Sequence, residues 1–106
     1  MSAELFLSFH DVHWYAEHRK DIERQIQILP TFLNQKDSVY RMRGTEENGQ
    51  LKWNYDVRIF FKEENIFLEV GAHPPSIEID LKFLFDWMRS ETGILIIDED
   101  GEESKW

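Results

Sequence analysis

The residues best suited to chemistry crowd into one stretch, "FHDVHWYAEHRKD" at positions 9–21, which holds three histidines, two aspartates and one glutamate. A helix starting at His10 would put His10, His13 and Glu17 on one face, at i, i+3 and i+7. Two imidazoles and a carboxylate are a donor set for a divalent metal with open coordination positions. Asp11 argues against that arrangement. A short carboxylate just before a helical pattern is a natural N-cap, because it accepts hydrogen bonds from the free amides of the first turn. With Asp11 as cap, His10 falls outside the helix and the triad is broken. The stretch therefore reads as a helix start with histidines at its rim, and no metal or other cofactor is expected.

Two other places invite the same question. His73, in "GAHPPS", follows a strand end and precedes two prolines, with Ser76 and Glu78 close by in sequence. A catalytic histidine needs an orienting carboxylate and a nucleophile or substrate proton within hydrogen-bond reach. Three-residue proximity of common residue types reads more simply as a surface loop. "IDEDGEE" (97–103) has the acids of a calcium loop but not its spacing: with Asp98 first, Gly101 falls fourth, whereas an EF-hand needs glycine sixth.

The elements that hold these residues follow from periodicity. "ELFLSF" (4–9) alternates as a strand, with Leu5, Leu7 and Phe9 on one face and Glu4, Phe6 and Ser8 on the other. Tyr15, Ile22, Ile26, Leu29 and Leu33 recur at helical spacing, and Pro30 should end or kink that helix near Leu29. "QLKWNYDVRIFF" (50–61) alternates as a strand, and Asn48-Gly49 is a type I′ hairpin signal. A two-residue turn there sets Tyr40 opposite Val57, Met42 opposite Tyr55 and Arg41 opposite Asp56. Across the next turn, "KEEN" (62–65), matching faces pair Phe61 with Ile66, Ile59 with Leu68, and Val57 with Val70. Arg58 then meets Glu69, and Phe60 meets Phe67. A second helix is expected from Asp80, with Ser76 as the alternative start and Gly93 as its stop. "ILIID" (94–98) is a last strand, and residues 99–106 form an acidic C-terminal tail.

This pattern predicts one α+β domain over residues 1–106: a single, mostly antiparallel sheet in the order β-α-β-β-β-α-β, with both helices on one face. Phe60 and Phe67 would then pair on a face that otherwise bears Arg41, Asp56, Arg58 and Glu69. An aromatic pair on such a face is either covered by the chain itself or is a contact patch.

Charge is the strongest global signal. Twelve basic against 21 acidic residues give −9. Residues 1–53 carry 8 acids and 7 bases, whereas residues 54–106 carry 13 acids and 5 bases. Such a surface repels phosphates, which argues against nucleic acid or anionic membrane and for a basic protein partner. There is no cysteine, and no Gly-rich phosphate loop or G-x-S-x-G motif. No apolar run approaches the roughly 20 residues that span a bilayer, and the N-terminus lacks the pattern of a signal peptide. A cytoplasmic protein is expected.

In overall character the chain resembles the bacterial toxin-immunity proteins. It shares with them about a hundred residues, an acidic α+β composition, no catalytic motif, and acids concentrated in one half. The resemblance implies a non-enzymatic inhibitor that neutralises a basic toxin, such as a nuclease, by masking its active surface. Independently of it, the partner-binding candidates are Phe60, Phe67, Asp98, Glu99, Asp100, Glu102, Glu103 and Trp106. The alternative is a small metal- or ligand-binding enzyme using His10, His13, Glu17 or His73.

Overall fold

The computed structural model describes residues 3–46 and 55–106. The chain runs β1 (Ala3–Phe9), α1 (Val12–Gln27), β2 (Phe32–Lys36), β3 (Val39–Met42), β4 (Val57–Phe61), β5 (Asn65–Val70), α2 (Pro75–Glu91) and β6 (Ile94–Asp98). The six strands form one antiparallel sheet in spatial order β2-β3-β4-β5-β1-β6. The α+β class stands as the sequence implied, with one strand more than expected among the described residues.

Asp11 starts α1 by accepting hydrogen bonds from His13 N (3.0 Å) and Trp14 N (3.3 Å). The helix ends at Gln27, and Leu29 is buried just beyond it. Pro30 stops the helix early enough for Leu33 to lie in β2 instead of on the helix face. That strand was missed because "FLNQK" is an edge: four of its five residues are exposed, so it shows no alternation. Its turn into β3 uses Asp37 and Ser38, both in the left-handed region (φ 53° and 67°). Two such residues in a row give the backbone of a type I′ turn, whose twist matches the flanking strands.

The β4–β5 register is the expected one at all five pairs, from Val57 opposite Val70 to Phe61 opposite Ile66. The β3–β4 register is not. Tyr40 stands opposite Ile59, Arg41 opposite Arg58 and Met42 opposite Val57, a slip of two residues from the expected pairing. Because the side-chain period is two, every residue keeps its face, and apolar patterning alone could not tell the registers apart. Asp56 does not meet Arg41. Its N–H donates to Met42 O (2.7 Å), its carboxylate accepts Gly44 N (2.7 Å), and its carbonyl accepts Gly71 N (2.7 Å). It therefore ties the ends of three strands together. The Asn48-Gly49 turn, and residues 50–54 of the long alternating segment, lie outside the described residues.

Helix α2 starts at Pro75, a turn earlier than Asp80. Proline fits the first helical position because its missing N–H has no partner there anyway. Ser76 N finds its acceptor in Glu46 (2.8 Å), while Glu46 also accepts from the Ser76 hydroxyl. These two bonds hold the Glu46 carboxyl below its usual range, the hydroxyl contributing most. Asp80 is buried inside the helix instead of capping it. One of its oxygens accepts from Thr31 N (2.9 Å) and Thr31 Oγ1 (2.6 Å), which locks the loop after α1 onto α2. Gly93 follows the helix for steric reasons: a Cβ there would meet the His10 ring at 2.4 Å.

One core joins both helices to one sheet face. Tyr15, Ile22 and Ile26 of α1 and Ile77, Leu81, Phe85 and Met88 of α2 pack with Leu7, Ile59, Leu68 and their neighbours on the sheet. Two buried tyrosines tie the layers further. Tyr15 Oη donates to Lys62 O (2.7 Å), and Tyr40 Oη donates to Glu23. Burial raises both phenol pKa values, and for Tyr40 the bond to Glu23 adds to the effect.

Candidate functional site

With both helices on one face, the other sheet face is left without a covering element among the described residues. Its centre is aromatic. Phe6 on β1, Phe67 on β5 and Phe60 on β4 are successive cross-strand partners, with ring centroids 5.1 Å and 5.6 Å apart. The register extends this row to Ile97 on β6 and Val39 on β3. Phe6 is 44% exposed, whereas Phe60 and Phe67 are half-buried, with Arg58 and Lys62 over the Phe60 ring.

A charged row runs beside the aromatic one. Arg58 pairs with Glu69 (Nε to Oε1, 2.8 Å) and lies 5.1 Å from the Tyr55 ring centroid and 5.3 Å from that of Phe60. Arg41, opposite Arg58, lies 5.7 Å from Tyr55 and donates to Asn34 Oδ1 (3.2 Å). The shared ring and these acceptors offset the repulsion between two adjacent guanidiniums. Lys62 Nζ sits 5.7 Å from the Phe60 centroid.

The acidic C-terminal run is built onto the end of this face. Asp98 Oδ1 accepts from Asp100 N (2.9 Å) and Glu102 N (3.0 Å), and Gly101 takes φ +80°. The chain then returns along β6, with Glu103 bridged to Ile97 and Ser104 N donating to Ile96 O (2.8 Å). Glu99 reaches back to accept from Glu4 N (2.8 Å). Asp100, Glu102 and Glu103 therefore project from a turn fixed beside the row, instead of trailing in solvent. Trp106 goes the other way. It packs edge-on to Phe85 (6.1 Å) and His73 (6.2 Å) on the helix side, away from Phe60 and Phe67.

Comparison with protein-family models, curated proteins and solved structures finds no match to this chain.

The histidines are dispersed. His10 lies before the cap, with its N–H on Gly93 O (3.0 Å), while His13 and Glu17 are exposed on α1. His18 stacks on Trp14 (4.5 Å). Among the described residues no three His, Asp or Glu side chains cluster as metal ligands. His73 Nδ1 meets Glu78 Oε2 at 2.7 Å, but the Ser76 hydroxyl is committed to Glu46. The His73–Glu78 pair, with Lys82, Lys105 and Trp106, lines a shallow cleft. A second apolar patch, Ile79 and Phe83, is exposed one turn apart on α2. No described helix is long and apolar enough to cross a membrane.

Sequence reasoning found Phe60 and Phe67 but missed Phe6 and Ile97, which complete the row. Alternation along β1 already put Phe6 opposite Leu5 and Leu7. What it could not supply was that β1 lies beside β5, because that pairing joins distant segments.

Proposed function

We propose that this chain is a non-enzymatic protein-binding module of the immunity type, which inhibits a basic protein, such as a toxin nuclease, in the cytoplasm. One observation carries the reading: a row of part-exposed aromatics crosses the uncovered sheet face, and an acidic turn is fixed at its end. Paired aromatics supply the buried, desolvated centre that dominates binding energy in most interfaces. The acids beside them steer a cationic partner and suppress anionic ones. A nuclease surface built to hold phosphates is cationic, so Asp100, Glu102 and Glu103 would compete for the same groups while Phe6, Phe60 and Phe67 dock.

A second reading rests on the His73–Glu78 cleft, where Lys82, Lys105 and Trp106 could hold a small anionic ligand. It has the hydrogen-bonded His73–Glu78 pair, but the nearby Ser76 hydroxyl is already held by Glu46.

The test is capture from the native cytoplasm with wild-type bait and with Phe60→Ala/Phe67→Ala bait. The expected catch is a basic protein held only by wild type, whose activity stops at one inhibitor per enzyme. A catch retained equally by both baits, or one left fully active, would reject the proposal.

A further inference from the structure

We infer that the chain also forms a two-fold homodimer through the uncovered face, with the symmetry axis along β5. The observation is the order of charge across the sheet. In the aromatic row Lys36, Val39 and Phe60 stand on one side of Phe67, and Phe6, Ile97 and Glu103 on the other. In the neighbouring row Arg41 and Arg58 stand on one side of Glu69, with Glu4 on the other and Glu99 bound at its end. The bases of both rows fall on β2, β3 and β4. Their acids fall on β5, on β1 and on the turn and returning segment beyond β6.

A two-fold interface must be self-complementary, because each residue meets its mirror position. Rotation about β5 exchanges the halves. It lays Phe67 over its copy, Phe60 over Phe6, and Val39 over Ile97. It also lays Lys36 over Glu103, Arg58 over Glu4 and Arg41 over Glu99. Of the charged residues in the two rows only Glu69 meets its own copy, and Arg58 already neutralises it within each chain. An in-plane axis across the strands would instead set acid on acid and base on base. A second copy presents the opposite charge to both halves of this face at once.

The geometry suits sheet-on-sheet packing, with layers about 10 Å apart and strands within about 30° of each other. Six strands at about 4.8 Å spacing, of five residues at about 3.3 Å each, make a face of roughly 25 by 17 Å. That is at the small end of specific interfaces, so association is expected in the micromolar range. The acid excess of each chain opposes it at low ionic strength, so about 0.15 M salt, with a Debye length of about 8 Å, is the condition to use. The dimer goes beyond the inhibitor proposal, since it needs no foreign partner, and because both use this face, a bound partner would displace the second copy.

The experiment is a charge swap followed by sedimentation. Wild type should show a concentration-dependent dimer. Arg41→Glu/Arg58→Glu alone, and Glu4→Arg/Glu99→Arg alone, should each self-associate at least about tenfold more weakly. Mixed one to one, they should regain the dimer as a heterodimer, because every reversed pair then finds its opposite. If losing the Arg58–Glu69 pair or the Glu99 bond to Glu4 N unfolds the chain, Lys36→Glu mixed with Glu103→Lys makes the same test outside both. Wild type that stays monomeric to about 1 mM would overturn the inference. So would folded variants that dimerise as wild type does, or a mixture that fails to recover. A chain that never dimerises yet binds a basic protein one to one would end the two-fold reading and leave the inhibitor proposal intact.

Discussion

Phe6 and Phe67 are cross-strand partners, their ring centroids 5.1 Å apart, on the side of the sheet that neither helix covers. Leu7, the next residue after Phe6, is fully buried in the core. The pleat alone separates a residue of the core from a residue of the surface. An aromatic at a partly exposed cross-strand position contributes less to folding than a buried one, about 0.2–1 kcal/mol as a cross-strand pair.

This contrast yields the first expectation. Leu7→Ala should cost about 2–5 kcal/mol, the range for emptying a buried leucine site. Phe6→Ala should cost about 1 kcal/mol or less, a lost cross-strand pair on an open face. Urea unfolding of the two variants measures both; equal losses would put Phe6 in the core.

Asp80 and Thr31 give the second. Asp80→Ala would strand the amide and hydroxyl of Thr31, both now bonded to one buried oxygen. Unpaired buried donors cost about 1–3 kcal/mol each, so the loss should reach at least about 2 kcal/mol. Thr31→Ala, which removes one donor and leaves the other paired, should cost less.

Cross-linking can read the β3–β4 register. Val39→Cys with Phe60→Cys should form a disulfide on oxidation, because directly opposed strand residues have the required separation. Val39→Cys with Arg58→Cys should not, since it corresponds to the register displaced by two residues. Val57→Asp should destabilise far more than Asp56→Val, as Val57 is in the core. Asp56→Val should still cost about 1–3 kcal/mol, because it strands Gly44 N.

Most of the fold was legible because it depends on local pattern. The β4–β5 register followed from two alternating strands and a short turn, and the Asp11 cap from one residue type before a helical run. The failures lie where local signals were equivalent or silent. A two-residue slip keeps Tyr40 and Arg41 on the same faces, so no hydrophobic count could detect it. Asp80 looks like a cap because its type suits one, and only the fold brings Thr31 to it. On the candidate site, Phe60 and Phe67 were visible from alternation. Phe6 and the charge order across the rows depend on β1 and β6 joining the far side of β5, a long-range pairing that no short window contains.

Tyrosine titration gives an expectation with a definite sign. The phenols of Tyr15 and Tyr40 sit above their ordinary value of 10.0, chiefly through burial. A raised folded pKa means the native state holds its proton when the unfolded chain has released it. Their contribution is therefore complete below pH 10 and is lost as pH rises above it. The thermal midpoint should fall through this alkaline window, and Tyr40→Phe should make that fall shallower. An unchanged slope in Tyr40→Phe would mean that Tyr40 does not titrate there.

The central claim, that the uncovered face and its acidic turn make one working surface, is tested most directly by binding rates to the captured partner at low and high salt. Asp98 and Glu99 hold the turn itself, so the charge variant should change only Asp100, Glu102 and Glu103, each to its amide. Association should slow at low salt and converge with wild type near 1 M salt, where the Debye length is about 3 Å. Phe60→Ala/Phe67→Ala should instead speed dissociation with little change in association, because buried aromatics act after encounter. Association unchanged by the charge variant at low salt, together with dissociation unchanged by the aromatic variant, would contradict the claim.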